Sequence, residues 1–232
     1  MTVGDLCREF TGCDTRSPAK NHASYSPNSA SCSRVFVLLP NRVQRPARIL
    51  RLTSPDGTNR LTRACVLALT VAIDELKDEL KKQLRPLIIA GNRQFFSVGA
   101  DLNEIAALTG PEAYQFSAMG QTLMNAIASY PAPVIAAIEG HCMGGGLDLA
   151  LACHRRIAAP HAVFGHRGAA LGLMTGWGGT QRLPRLIGKS RALELFIAAE
   201  KISAVQALEI GMVEAIADDP VAAALRLLQP PR

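Results

Sequence analysis

Apolar residues along this chain form two kinds of pattern, short continuous runs and longer stretches with helical spacing. Leu87–Ala90 and Pro133–Ile138 are continuous apolar runs, which are typical of strands buried on both faces. Val35–Leu39 and Ala47–Leu52 are β-like runs separated by a polar turn, so we predict a hairpin there. Two further strands are predicted, at Arg156–Ala159 and near Val213–Ile216.

Helical spacing of apolar residues runs from Thr58 to about Gln83 and predicts one long helix. Pro111–Tyr130 is a second predicted helix, because a proline suits the first turn of a helix. Gly144–Cys153 and Val221–Gln229 are also predicted to be helical, with several short helices between them. Strands that alternate with helices predict an α/β fold.

Residues 1–33 differ in composition from the rest of the chain. They are rich in Ser, Thr, Asn and Pro and lack a sustained period, so we expect a disordered extension. A core domain is expected over residues 34–199 and a short helical region over residues 200–232. No apolar segment follows the first methionine, which argues against a secretory signal. An organelle presequence, weakened by acidic residues, and an overlong gene prediction are the alternatives.

Composition and charge exclude several classes of partner. The chain has 232 residues, 48% hydrophobic and 19% charged, so it can bury a sizeable core. No apolar run approaches the ~18 residues that a membrane-spanning helix needs, so we expect no membrane partner. The formal net charge is +6, but no Lys/Arg block is interleaved with aromatic residues, so we expect no nucleic-acid partner.

The six cysteines indicate a reducing environment. They form no C-x-x-C pair and no Cys/His spacing suited to zinc, so neither a metal site nor a disulfide framework is expected. Cys142 and Cys153 lie in apolar surroundings, which predicts buried thiols. A cytoplasmic location is therefore the expectation.

Two glycine-containing junctions are the strongest candidates for chemistry. Phe96–Leu102 follows one predicted strand, and His141–Asp148 joins another strand to a helix. The glycines Gly144–Gly146 allow positive φ and a close approach of backbone to ligand. Free N–H groups at the helix start favour a developing oxyanion, and a donor from the other junction would complete an oxyanion hole. The spacing is not the G-x-G-x-x-G of dinucleotide sites.

These junctions belong to a series of segments that resembles the enoyl-CoA hydratase/isomerase (crotonase) superfamily. The resemblance covers about residues 35–217 in unbroken order. Phe96–Leu102 looks like the family's F-x-x-G-A-D-[LI] segment, and Gly140–Asp148 looks like its G-x-x-x-G-G-G-x-E segment. The other similar segments are Ser54–Leu61, Phe164–Gly172, Gly176–Leu183 and Ile202–Val213.

The resemblance implies a crotonase-like spiral of ββα units with a helical C-terminal region, assembled as a homotrimer or hexamer. It implies an acyl-CoA substrate, with no cofactor other than the coenzyme A thioester itself. The backbone N–H groups of Val98 and Gly145 are the implied oxyanion donors. The implied substrate-binding residues are Ser97, Val98, Gly99, Ala100, Asp101, Leu102, Gly144, Gly145 and Gly168.

The side chains implied for catalysis depart from the family pattern. Hydratases of the superfamily use two glutamates; the first corresponds to Asp148, and the second to Gly168, which has no proton carrier. Asp148 is either catalytic or simply stabilised by the dipole of its helix. His166 can replace the missing acid, because imidazole titrates near neutrality, or it can satisfy a backbone carbonyl. Asp101 is expected to cap or brace its loop.

Three interpretations of the function follow from these residues. The leading one is a lyase resembling enoyl-CoA hydratase that acts on a short or medium 2-enoyl-CoA, with Asp148 orienting or deprotonating water. The second is another thioester reaction, namely isomerisation, hydrolysis or decarboxylation. The third is a non-catalytic acyl-CoA-binding subunit, suggested by Gly168 and by a C-terminal region shorter than the family usually has. A shorter C-terminal region implies either that the acyl-CoA site is more open or that the chain is truncated.

Overall fold

Strands and helices alternate along the part of the chain that the structure, a computed structural model, describes: residues 36–38, 46–79 and 85–229. The predicted extension over residues 1–33 lies outside the described residues. The strands are β1 (Phe36–Leu38), β2 (Arg48–Leu52), β3 (Arg60–Leu61), β4 (Leu87–Ala90), β5 (Phe95–Ser97), β6 (Gly99–Ala100), β7 (Val134–Ile138), β8 (His141–Met143), β9 (Arg155–Ala158), β10 (Val163–Gly165), β11 (Ile202–Ser203) and β12 (Ala215–Ile216). The helices are α1 (Arg63–Glu79), α2 (Leu102–Ala106), α3 (Gly110–Ala128), α4 (Gly145–Ala152), α5 (Gly179–Ile187), α6 (Lys189–Ala198), α7 (Ala204–Glu209) and α8 (Pro220–Leu227), with a short 3₁₀ helix at Ala169–Leu171.

The larger sheet has six strands in the order β1-β2-β4-β7-β9-β12. β1 is antiparallel to β2, as predicted for the hairpin, and the remaining neighbours are parallel. Every residue of β4 and β7 is buried, which confirms the prediction from their continuous apolar runs. Alternate residues of these strands belong to two hydrophobic clusters: Leu87 and Ile89 face one, and Ile88 faces the other, which Ala224 of α8 completes.

A second sheet repeats the order of the first. Its strands are β11-β10-β8-β5, and β5, β8 and β10 follow β4, β7 and β9 along the chain and pair in parallel. β4, β7 and β9 of the larger sheet are thus each followed along the chain by a strand of the smaller sheet, and a helix comes before the next strand of the larger sheet. This repeated strand–strand–helix unit is the predicted ββα spiral, and the predicted α/β class is confirmed.

The first long helix begins later than its apolar spacing predicted. Residues 58–62 are not helical, because Arg60–Leu61 pairs with Gly99–Ala100 as β3 and β6. Asn59 has a positive φ of 53°, and its side-chain amide donates to the carbonyls of Phe95 and Phe96. The helix starts at Arg63 instead, and residues 80–84 of the predicted helix lie outside the described part of the chain.

The other predicted elements end within a few residues of the observed bounds. α3 begins with a capping box, in which Thr109 and Glu112 satisfy each other's backbone N–H groups. Asp101 caps α2 by accepting from Asn103 N and Glu104 N, which confirms its predicted bracing role. None of the helices within the described ranges is long and apolar enough to cross a membrane.

A buried arginine holds β12 against the sheet. Arg156, on β9, is 4% exposed, and its guanidinium donates to the carbonyls of Met212 and Cys153 and to the carboxylate of Glu214. The Arg156 backbone N–H also donates to Glu214. These four hydrogen bonds, together with the one from Glu214 N–H to the Arg156 carbonyl, fix the chain just before β12.

Candidate active site

The two glycine junctions meet at one end of the smaller sheet. β5 and β8 are parallel neighbours, with Ser97 opposite Cys142, so the segments that follow them lie side by side. Gly99 has φ +91°, and a Cβ there would lie 2.8 Å from the Gly145 nitrogen and 2.7 Å from the Met143 carbonyl oxygen. Glycine is required at position 99 because both the dihedral angle and the close approach exclude a side chain.

The Gly145 amide is a free donor. Gly145 is the first residue of α4, where backbone N–H groups have no intrahelical acceptor. Among the residues that the structure describes, no acceptor for this N–H is found, and Gly145 lines a cavity. The amide therefore has the availability that an oxyanion donor needs.

The Val98 amide differs from the prediction. Its N–H donates to the carbonyl of Thr58 at 3.2 Å, so it is not free. The reason lies in β3: because Arg60 pairs with Gly99, the chain just before β3 runs beside Val98 and brings the Thr58 carbonyl to it. The Val98 amide therefore already has an acceptor, and its role as an oxyanion donor stays a prediction. A role for this amide requires a substrate carbonyl to replace Thr58.

The predicted substrate-binding residues divide into cavity-lining residues and supports. Those that line the cavity are Val98, Ala100, Leu102, Gly144, Gly145 and Gly168. Ser97, Gly99 and Asp101 are not among the lining residues, so substrate contact by these three stays a prediction. Ser97 is fully buried; its hydroxyl donates to the Asn59 carbonyl and accepts from Gly99 N. These residues hold the wall in place from behind.

The cavity has a volume of about 590 Å³, within the range of small-molecule sites. One part of its wall is apolar and comes from α2, from the loop after it and from α3: Leu102, Ile105, Leu108, Ala113 and Phe116. Another part carries ionisable side chains: His141, Asp148, His166, Arg167 and Lys201. An apolar tail and a polar group of one ligand can therefore be accommodated together.

Asp148 and His166 form a buried pair beside the Gly145 amide. Asp148 is 1% exposed in the first turn of α4, and His166, which follows β10, is 5% exposed. Asp148 Oδ1 lies 3.2 Å from His166 Nε2, which is an ion-pair distance. The two atoms do not form a hydrogen bond, and neither has another hydrogen-bond partner among the described residues. Such orphaned buried atoms are expected where a ligand or water binds.

Two neighbours shape this pair. The hydroxyl of Thr175 donates a short hydrogen bond to Asp148 Oδ2. Gly179, at the start of α5, leaves the space that the pair occupies: a Cβ there would lie 2.1 Å from Asp148 Oδ1 and 3.0 Å from His166 Nε2. The His166 ring also packs against Phe196 of α6, with 5.1 Å between centroids. Both side chains are consequently restricted in orientation.

Two ionisable groups near Asp148, Arg182 and Cys142, have shifted pKa values. Burial lowers the pKa of Arg182 on α5, while the Asp148 carboxylate opposes that shift. Burial raises the pKa of the nearby Cys142 thiol well above its usual range, so that thiol stays neutral. Arg182 itself donates to the Trp177 carbonyl and to Asn125. The carboxylate thus faces one imidazole and one guanidinium.

Gly168 lines the cavity with no room for a larger residue. A Cβ at this position would lie 2.7 Å from the Leu173 carbonyl oxygen. The backbone of Leu173 occupies the space into which a carboxylate side chain at position 168 would project. His166, two residues earlier, is the nearest histidine of the same segment.

Two contributors to the site were not singled out by the sequence motifs. Thr175 gave no signal, because a threonine in a loop carries no motif. Trp177 packs in the core: it is 4% exposed, and its indole N–H donates to the Phe116 carbonyl. The same indole lies behind Gly145, where a Cβ would approach it to 2.5 Å, and so supports the donor.

Comparisons with known proteins agree with this arrangement. The family model described as enoyl-CoA hydratase/isomerase matches residues 46–228. A probable enoyl-CoA hydratase of Bacillus subtilis (strain 168) is 43% identical over 172 residues, which are 74% of this chain and 66% of that protein. A crotonyl-CoA hydratase of Syntrophomonas wolfei subsp. wolfei is 37% identical over 168 residues, which are 72% of this chain and 64% of that protein. The matched region thus spans just under two thirds of these relatives.

A solved structure agrees in fold. The crystal structure of an enoyl-CoA hydratase from Bacillus anthracis is 33% identical and superposes with a TM-score of 0.77, covering 84% of this chain and 75% of that one. The ββα spiral is therefore the crotonase fold that the sequence segments predicted. With a matching family profile over most of its length and the same fold, the chain belongs to the enoyl-CoA hydratase/isomerase family.

Proposed function

We propose that the chain is an acyl-CoA enzyme that adds water to the double bond of a short or medium 2-enoyl-CoA. The observation that carries this proposal is the juxtaposition of the unoccupied Gly145 amide with the buried Asp148–His166 pair in one cavity. The names of the relatives, enoyl-CoA hydratase and crotonyl-CoA hydratase, support it. The apolar wall formed by α2 and α3 suits the acyl chain.

Carbonyl polarisation is the first task of the site. The thioester oxygen accepts from Gly145 N–H, which stabilises the negative charge that develops on it as water adds. One such donor can contribute about 3 kcal/mol to the transition state. Val98 N–H becomes the second donor when the substrate carbonyl displaces the Thr58 carbonyl.

Proton transfer is the second task. As the water oxygen bonds to C3, the π electrons move toward C2 and the thioester oxygen. Asp148 accepts the proton that the water loses, and the Asp148–His166 pair returns one proton to C2. One water is added overall, and no charge is left. Such a positioned acid–base group typically contributes ~10²–10⁴-fold to the rate.

No cofactor beyond the coenzyme A thioester is required by this proposal. Arg167 and Lys201 are exposed side chains at the cavity, where positive charge attracts the phosphates of coenzyme A. We also propose a cytoplasmic location, which the unpaired thiols of Cys65, Cys142 and Cys153 support.

Hydration is tested by the loss of the enoyl absorbance of crotonyl-CoA and of longer 2-enoyl-CoAs. We expect turnover by the full chain and a loss of ~10²–10⁴-fold for Asp148→Asn. Asp74→Asn removes a surface carboxylate that pairs with Lys77 and serves as the matched control. Absence of turnover with every chain length would refute the hydratase assignment.

A second candidate is a non-catalytic acyl-CoA-binding subunit. The closed backbone at Gly168 and the occupied Val98 amide favour it. It predicts that butyryl-CoA and crotonyl-CoA raise the melting temperature while neither hydration, CoA release, CO₂ release nor a double-bond shift is detected. The last three products identify a hydrolase, a decarboxylase or an isomerase instead.

We further propose assembly as a homotrimer or hexamer. Apolar side chains on α6 and α7 support it: Leu193 is 60%, Ile197 is 67% and Val205 is 55% exposed. Light scattering is expected to give a mass three or six times the 24.7 kDa of one chain. Ile197→Glu is expected to lower that mass, and a monomeric wild-type protein would contradict the assembly.

A further inference from the structure

We propose that Thr175 is the positioning residue that makes a single oxygen of Asp148, Oδ1, the proton-accepting atom of the site. This inference rests on the proposed function, because it assigns how Asp148 performs its role there. Thr175 lies in the loop between the 3₁₀ helix and α5 and lines the cavity.

The two carboxylate oxygens of Asp148 have different environments. Oδ2 accepts the hydrogen bond from the Thr175 hydroxyl. Oδ1 receives no hydrogen bond from any described residue, although it is buried and 3.2 Å from His166 Nε2. A carboxylate accepts at both oxygens, so the empty positions on Oδ1 are available to one further donor. The water that adds to the substrate is such a donor.

The hydrogen bond from Thr175 to Oδ2 fixes the orientation of the Asp148 carboxylate. The terminal torsion of an aspartate is broad and roughly two-fold, so packing alone leaves the carboxylate free to turn. Thr175 is itself restrained, since a threonine is stiff at χ1 and its methyl group lies close to Gly179. A Cβ at Gly179 would lie 2.9 Å from that methyl carbon and 2.1 Å from Asp148 Oδ1. Gly179 thus admits the threonine and the carboxylate together.

Three other titratable groups face Asp148. His166 approaches Oδ1, and the Arg182 guanidinium and the Cys142 thiol interact with the carboxylate electrostatically. Within the described part of the chain, none of these three donates to Oδ2. The Thr175 hydroxyl is therefore the group whose removal changes the orientation of the carboxylate without changing the charge of the site.

Valine and serine substitutions separate the hydroxyl from the shape of the side chain. Thr175→Val keeps the β-branched shape and removes the donor, whereas Thr175→Ser keeps the donor. We expect Thr175→Val to lose ~10–100-fold in kcat with KM nearly unchanged, as for loss of a hydrogen bond to a charged group, and Thr175→Ser to recover most of it. Thr122→Val is the control, because it removes an exposed hydroxyl that bonds to its own helix.

A spectroscopic measurement that needs no turnover makes the inference independent of the proposed reaction. In protein labelled with ¹³C at the aspartate carboxyl groups, the Asp148 signal is assigned by its absence in Asp148→Asn. Loss of the Thr175 donor to Oδ2 is expected to change the carboxyl chemical shift of Asp148 in Thr175→Val, and not in Thr175→Ser or Thr122→Val.

Each outcome decides between the two proposals. A changed Asp148 chemical shift in a protein that hydrates no enoyl-CoA supports the positioning role and refutes the hydratase. An unchanged chemical shift in folded Thr175→Val overturns the positioning role, even where kcat falls. In a protein that hydrates enoyl-CoA, equal kcat in wild type and Thr175→Val overturns it as well.

Discussion

The backbone N–H of Val98 donates to the carbonyl of Thr58 across 3.2 Å. The residue at which a second oxyanion donor was predicted is therefore engaged within the protein itself. A substrate carbonyl that binds there must break one hydrogen bond as it forms another, which reduces the net gain in binding.

We expect this exchange of hydrogen-bond acceptors to change the amide resonance of Val98. Butyryl-CoA, which has the thioester carbonyl but no double bond, is expected to shift the ¹⁵N–¹H signals of both Val98 and Gly145. A thioether analogue without the carbonyl is expected to leave the Val98 signal nearly unchanged. A response of Gly145 alone to both compounds would mean that Thr58 keeps its hydrogen bond and that the site works with one donor.

Gly99→Ala is expected to destabilise the protein and reduce its activity together. The substitution meets an unfavourable positive φ and two backbone atoms within 2.8 Å, and it displaces the Gly145 donor. Gly188→Ala is the matched control, because Gly188 has φ +89° and a Cβ there would meet no atom within 4 Å. Strain at such a φ costs about 1–3 kcal/mol, and chemical denaturation should show a larger loss for Gly99→Ala. Equal losses would contradict the close approach.

Gly168→Glu is expected not to restore a second catalytic carboxylate. Its Cβ would meet the Leu173 carbonyl at 2.7 Å, so the backbone must shift and the melting temperature should fall. Ala169→Glu, in the adjoining 3₁₀ helix with an exposed side chain, should leave the melting temperature within error. Faster hydration by a stable Gly168→Glu variant would argue against the closed backbone described above.

Arg156→Met is expected to cost about 2–3 kcal/mol of unfolding free energy, because Met212 O and Cys153 O lose buried donors. Glu214 is 42% exposed, so solvent compensates part of its loss. Arg155→Met changes the exposed neighbour on the same strand and should be nearly neutral. Urea denaturation compares the two, and similar midpoints would show that the Arg156 bonds contribute little.

Cys65 should make the protein sensitive to alkaline conditions. Burial, assisted by Glu104, raises the pKa of this thiol from 9.0 to about 12. The folded state therefore holds the thiol proton more firmly; this stabilisation is complete below pH 9 and is lost as the pH rises toward 12. Relative to Cys65→Ala, the wild type should lose ~1.4 kcal/mol per pH unit in that window. Parallel stability curves for the two proteins between pH 9 and 10.5 would exclude this effect.

Sequence patterns predicted the regular elements better than the contacts between distant segments. The continuous apolar runs of β4 and β7 identify buried strands because both faces of the sheet are covered. The glycines at 99 and 144–146 mark the junctions because only glycine permits the φ values and the close approach found there. The resemblance of these segments to the crotonase superfamily was confirmed by the family and fold comparisons.

Three features depend on segments far apart in the chain, and local patterns contain no sign of them. The helix predicted from Thr58 loses its first turn to the β3–β6 pairing with Gly99. The same pairing brings the Thr58 carbonyl to Val98. Thr175 meets Asp148 across 27 residues of sequence, through a loop whose course only the packed structure determines.

Trp177 lies between α3 and the first residue of α4, with no space for a Cβ at Gly120 or at Gly145. It is the only tryptophan of the chain. The tryptophan fluorescence of the protein, excited selectively over its tyrosines, therefore originates from one indole directly behind the proposed oxyanion donor. Its emission reports on that wall of the cavity alone, so ligand binding can be followed optically in the unlabelled protein.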